Sequence, residues 1–150
     1  MMLSSEIQPS TTILIADDDA DDRLFMAEAL RQNQFGSTVK FVEDGEELMN
    51  YLTCANGFTV ENAPRPSLIL LDLNMPRKDG FEALKEIKTN PHLCRLPVVV
   101  LSTSSAKEDV KRAYGLGGNS FITKPHNFSR LTELMGSLKL YWMETVQLPD

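Results

Sequence analysis

Residues 68–80 read LILLDLNMPRKDG. An apolar run enters Asp72, and a turn follows at once. Together with Ser67 the run forms SLILLD, a continuous apolar strand of the kind buried on both faces. Such strands belong to parallel sheets covered by helices, so the stretch sets the fold class. It also raises the question of why a buried strand should end on a carboxylate.

Strand and helix patterns alternate on either side of it. TILIAD (12–17), STVKFV (37–42), LPVVVLS (96–102) and NSFIT (119–123) read as further strands. DRLFMAEALRQ (22–32) has helical spacing, with Phe25, Met26, Ala29 and Leu30 grouped on one side. GEELMNYLTC (45–54) is a second helix, and FEALKEIKTN (81–90) is a third, stopped by Pro91. AKEDVKRAYGLG (106–117) is a helix with a glycine-rich exit, and FSRLTELMGSLKLYWMETV (128–146) is a long closing helix. The alternation predicts an α/β fold, a doubly wound five-stranded parallel sheet in the order 2-1-3-4-5 with right-handed crossovers.

The bulk composition narrows the function classes. The chain has 150 residues, 42% of them hydrophobic, enough for one domain with a proper core. Its net charge of −6 argues against a nucleic-acid binder. Only two cysteines, Cys54 and Cys94, point to a reducing, cytoplasmic setting, with Cys94 expected to be a small buried hydrophobe. No apolar run approaches the ~18 residues of a membrane span, and the first residues do not resemble a signal peptide. Residues 1–10 read as a tail, and 11–150 as a single domain with an extended last helix and no output domain.

In doubly wound sheets the functional crevice lies at the carboxyl ends of the strands. Here the first strand ends on Asp17 and Asp18, the third on Asp72, the fourth on Ser102 with Thr103 after it, and the fifth on Lys124. That juxtaposition accounts for the carboxylate closing the 68–72 strand. Two like charges ~4 Å apart repel by ~4 kcal/mol even at an effective dielectric near 20. A divalent cation relieves that repulsion, and Mg²⁺ suits oxygen ligands while keeping waters for a phosphate. With Lys124 as a fixed positive charge and Ser102 as a hydroxyl donor, the set forms a phosphoryl-transfer site with a carboxylate nucleophile. Taken singly, each piece has an ordinary explanation. Asp19, Asp21 and Asp22 read as a solvated helix start, and Lys124 would pass for a surface lysine.

The motifs ILIADD, DLNMPRKDG, PVVVLS and SFITKP occur in the order found in response-regulator receiver domains of two-component systems, and residues 11–140 resemble that family. The resemblance implies that Asp72 accepts phosphate from a histidine kinase. It implies that Asp18, Asp72 and the Asn74 backbone carbonyl ligate Mg²⁺, with Asp17 acting through water. Alignment from Leu96 to Pro125 places the switch hydroxyl on Ser102 and the aromatic switch on Phe121, where tyrosine is commoner. Asn74 and Ser104 fall at positions that influence phosphoryl lifetime in receivers. A cis Lys124–Pro125 bond is also expected. The long segment TCANGFTVENAPRP (53–66), NAPRPSLILLDLNMP and the tail YWMETVQLP resemble the stand-alone regulators encoded with cyanobacterial and bacterial phytochromes. That resemblance points to a phytochrome kinase as partner. In the last helix Leu131, Leu134, Met135, Leu138 and Trp142 form a core stripe, while Leu140, Tyr141, Val146 and Leu148 fall outside it. A homodimer through that helix and the face around the fifth strand is therefore expected, and the resemblance points the same way. His92 and His126 lie in a turn and a loop and are not read as phosphodonors.

Three other readings fit less well. An aspartate-nucleophile phosphatase resembles a D-x-D pattern, but Asn74 stands where its general acid–base would be. A flavodoxin-like cofactor binder needs a phosphate loop after the first strand, where DDDADD stands instead. A phosphorylation-independent scaffold has no use for the complete set Asp17, Asp18, Asp72, Ser102 and Lys124.

Overall fold

A computed structural model describes residues 11–149. Strands β1 (Thr12–Ala16), β2 (Thr38–Val42), β3 (Leu68–Asp72), β4 (Val98–Ser102) and β5 (Ser120–Thr123) form one parallel sheet in the order β2-β1-β3-β4-β5. Helices α1 (Ala20–Gln32), α2 (Gly45–Thr53), α3 (Gly80–Thr89), α4 (Lys107–Gly115) and α5 (Phe128–Leu138) cover its two faces. This is the doubly wound order expected from the sequence.

The three central strands are buried along their whole length, so side-chain alternation splits them between two cores. Leu14, Ile69, Leu71, Val98 and Val100 pack beneath α2, α3 and α4. Ile13, Ile15, Leu68, Leu70 and Val99 pack beneath α1 and α5. β2 and β5 are edge strands and only partly buried. On β5 the Phe121 N–H, which points off the sheet edge, donates to the Tyr114 hydroxyl at 3.1 Å.

α1 begins two residues earlier than the spacing predicts because Asp19 caps it, accepting from the N–H groups of Asp21 and Asp22. Met26, Ala29 and Leu30 are buried on its inner face, but Phe25 is not. It lies outward, with its ring 6.3 Å from that of Phe128. The 53–66 segment is a packed loop: Tyr51 donates its hydroxyl to Pro64 O, Ala63 is buried, and Phe58 lies on the Tyr51 ring. Cys94 is exposed, contrary to expectation, because the turn after α3 turns its neighbour Leu93 into the core.

The predicted closing helix is two elements. α5 ends at Leu138, and Lys139–Thr145 continues with the wider π-type winding. Val146 N–H donates to Tyr141 O, five residues back. Leu131, Met135 and Leu138, at i, i+4 and i+7, are buried, and Leu134 and Trp142 pack partly against them. The wider winding rotates the later side chains, leaving Leu140 60% and Tyr141 52% exposed.

Candidate functional site

The carboxyl ends of β1, β3, β4 and β5 bring the predicted residues to one edge of the sheet. Asp17 follows β1 directly, its N–H donating to Val42 O at 3.0 Å, and its side chain is 1% exposed. Asp72 ends β3 opposite Leu101 of β4, and Ser102 is the next residue along. Lys124 follows β5, and its N–H donates to Ser102 O at 2.7 Å. Among the described residues, Asp17, Asp18 and Asp72 offer carboxylate oxygens that all lie within 4.8 Å of one another. Asp17 and Asp72 are buried, whereas Asp18 is exposed at the mouth.

Lys124 is the counter-charge. Its Nζ donates to Asp17 Oδ2 at 2.8 Å and Asp22 Oδ2 at 3.0 Å, and stands 4.0 Å from Asp72 Oδ2. Burial alone would lower the lysine pKa, but the Asp17 hydrogen bond and the charges of Asp72 and Asp17 reverse that and raise it. It reaches these acids with no cis peptide bond among the described residues, so Lys124–Pro125 is trans and the expected cis bond is corrected. The side chain alone spans the gap, and no backbone isomer is needed to aim it.

The carboxylates carry the cost of their position. Burial pushes the Asp72 carboxyl up from 3.8 to about 6, partly opposed by Lys124 and reinforced by Asp17. Burial likewise raises Asp17, although Lys124 and the Asp19 N–H pull it back. One lysine does not neutralise three acids so close together. Their hard oxygens suit a divalent cation of the Mg²⁺ or Mn²⁺ type. Asn74 opens the loop beyond Asp72, and its N–H donates to Asp72 Oδ1 at 3.3 Å.

Ser102 is fully buried, and its Oγ accepts from the Ser104 N–H at 3.1 Å. Ser104 Oγ in turn accepts from Ala106 N–H and donates to Asp109 on α4. Phe121 pairs in register with Val100 and packs against the core beneath α3 and α4. Strand alternation puts Ser102 on the same face as Val100, so Ser102 and Phe121 share one side of the sheet.

Two residues outside the expected set belong to the site. Asp22 is more than a solvated helix start: it shares Lys124 with Asp17. Its signal was its place four residues before buried Met26, which puts it on the inward face of α1. Arg23 donates to Asp17 O at 2.8 Å and bridges to Glu43, tying the acidic turn to the end of β2. No sequence pattern marked that contact.

A doubly wound sheet in this strand order, with buried acids and a lysine at its strand ends, is the architecture of a receiver domain. The chain belongs to the response regulator receiver domain family, which matches residues 13–135. It is 41% identical over 147 residues to the response regulator Rcp1 of Synechocystis sp., covering 98% of this chain and 99% of that one. The crystal structure of the phosphorylated cyanobacterial phytochrome response regulator RcpA superposes with a TM-score of 0.88 at 42% identity, over 95% of this chain and 100% of that one. The Mn²⁺-bound form of Rcp1 superposes with a TM-score of 0.85 at 41% identity, covering 93% and 99% of the two chains.

Proposed function

We propose that this chain is a single-domain response regulator, residues 11–150, that accepts a phosphoryl group from a histidine kinase onto Asp72 in a Mg²⁺-dependent reaction. The carrying observation is the Lys124 ammonium set between Asp17, Asp22 and Asp72 beside a three-carboxylate cluster. An Asp72 oxygen forms the new P–O bond as the P–N bond to the kinase imidazole breaks. Lys124 and the Ser102 hydroxyl hold the phosphoryl oxygens. Asp18, Asp72 and the Asn74 carbonyl would hold the cation, with Asp17 acting through water. The cation neutralises the acids and the incoming phosphate. The chain catalyses only its own phosphorylation and dephosphorylation, in the cytoplasm, where its partner is a kinase of the phytochrome type. Support for that partner comes from the similarity to RcpA, described as a phytochrome response regulator. Phosphotransfer from purified histidine kinases, phytochromes first, tests this. Failure of every kinase and of acetyl phosphate with Mg²⁺ to label the chain would refute it.

Phosphorylation shifts Ser102 and Phe121 together. The phosphoryl oxygen draws the hydroxyl in, and the ring moves toward the space left, one two-state element biased by one new contact. Phe121 has no hydroxyl, so the ring changes place without gaining a hydrogen bond. Amide and aromatic NMR shifts with a phosphate mimic should change at both residues. An unchanged Phe121 environment would refute the coupling.

The chain forms a homodimer through the last helix and the face around β5. Exposed Leu140 and Tyr141 support this, since clustered apolar exposure marks interaction surfaces. A two-fold pairing of such helices is the simplest closed assembly. Light scattering should give a dimer for the intact chain and a monomer for one ending at Lys139. A monomeric intact chain at tens of micromolar, with and without phosphate mimic, would exclude it.

A further inference from the structure

The loop from Asn74 to Asp79 carries the proposed carbonyl ligand, and both its ends are held by close backbone contacts. At the far end Gly80 N–H donates to Leu73 O at 2.9 Å, and a Cβ on Gly80 would stand 2.5 Å from Asp72 O. On its flank Gly45 N–H, at the start of α2, donates to Lys78 O at 3.0 Å, and a Cβ there would stand 2.0 Å from that oxygen. Only glycine permits either approach.

Arg77 adds a third hold. Its backbone is left-handed, with φ at 66°, a conformation that disfavours any side chain with a Cβ. From there its guanidinium donates to Asp44 Oδ2. Asp44 is 4% exposed and divides its two oxygens between two tasks. Oδ1 caps α2 by accepting from the Glu47 N–H at 2.7 Å, while Oδ2 takes Arg77. Arg77 itself is largely exposed, so the pair adds little to global stability. Its geometric effect is local: it fixes the loop three residues beyond Asn74.

We infer that Arg77 is a positioning residue for divalent-cation binding, acting by clamping the Asn74 loop to Asp44. The inference rests on the cation site proposed above. Electrostatics makes it decisive to test. Arg77 is positive, so removing it should strengthen cation binding if charge alone mattered. A clamp predicts the opposite sign. Glycine at this position also relieves the left-handed strain, so a folding defect does not cloud the result.

The experiment is isothermal titration of the full chain with Mn²⁺ alone, alongside thermal unfolding. Arg77→Gly should weaken Mn²⁺ binding about fivefold, or ~1 kcal/mol, with Tm within about 2 °C of the wild type. Asp44→Asn keeps the α2 cap through Oδ1 and should weaken binding similarly. The double variant should be no weaker than the weaker single, because both remove one contact. Unchanged or tighter binding by Arg77→Gly, or additive losses in the double variant, would overturn the clamp and leave the cation site standing. No Mn²⁺ binding by the wild-type chain would overturn the cation site, and the clamp's role with it.

Discussion

Lys124→Met should destabilise the metal-free chain by about 3 kcal/mol near pH 7, the low end for stripping one partner from a buried ion pair. That corresponds to a fall in Tm of roughly 6–12 °C for a chain of this size. Lys124 is 7% exposed and Asp17 1%, so water does little to screen the loss. The effect has a definite pH sign. Asp17 and Asp72 already have raised pKa values through burial, and losing Lys124 raises them further. A carboxyl whose folded pKa lies above its unfolded value opposes folding increasingly as pH rises from the unfolded value through the folded one. The penalty should therefore be largest at pH 7 to 8 and shrink as pH falls toward 4, where the acids take up protons in both states. Millimolar Mg²⁺ should restore part of the lost Tm at pH 7.5. Thermal scans at several pH values, with and without Mg²⁺, decide this. A pH-independent loss would mean that the lysine contributes packing rather than charge.

Asp72→Asn should abolish phosphoryl incorporation from acetyl phosphate with Mg²⁺, read by intact mass, because the amide is not a nucleophile for phosphorus. The same change should stabilise the metal-free chain at neutral pH. The folded Asp72 pKa of about 6 against 3.8 means that ionising it costs the fold free energy, fully so above about pH 6. Asparagine avoids that cost, which we put on the order of 1–2 kcal/mol after allowing for the lost contact with Lys124. The gain should fade as pH falls toward 4, and Mg²⁺ should raise Tm for the wild type far more than for the variant. Phosphate on the asparagine variant to the wild-type extent would eliminate Asp72 as acceptor. A lower Tm for the variant at pH 7.5 would show that the carboxylate stabilises the fold.

The strand ends were legible in the sequence for a simple reason. A strand buried on both faces shows as an unbroken apolar run, and a polar residue that ends one stands out, as Asp72 and Ser102 do. Helix starts and helix faces were less legible. Asp19 hides its capping role among neighbouring acids, and Asp22 looks like one more of them until the periodicity of Met26, Ala29 and Leu30 fixes its face. Phe25 satisfies the spacing rule loosely and lies just off the buried stripe. The change of winding at Lys139 left no mark in composition, since an i+5 pattern and an i+4 pattern use the same residue types. Cys94 is exposed although its residue type favours burial, because the turn around it sets its direction. The Arg77–Asp44 contact joins residues from separate loops, and only the folded chain brings them together.

The Tyr114 hydroxyl that accepts the Phe121 N–H has a bearing on how the molecule meets others. An edge strand with free N–H groups is a template on which another chain's strand can grow. On β5 a side chain from the preceding helix occupies one of the donors that such a guest strand would use. A guest strand would have to displace that hydroxyl before it could pair at Phe121.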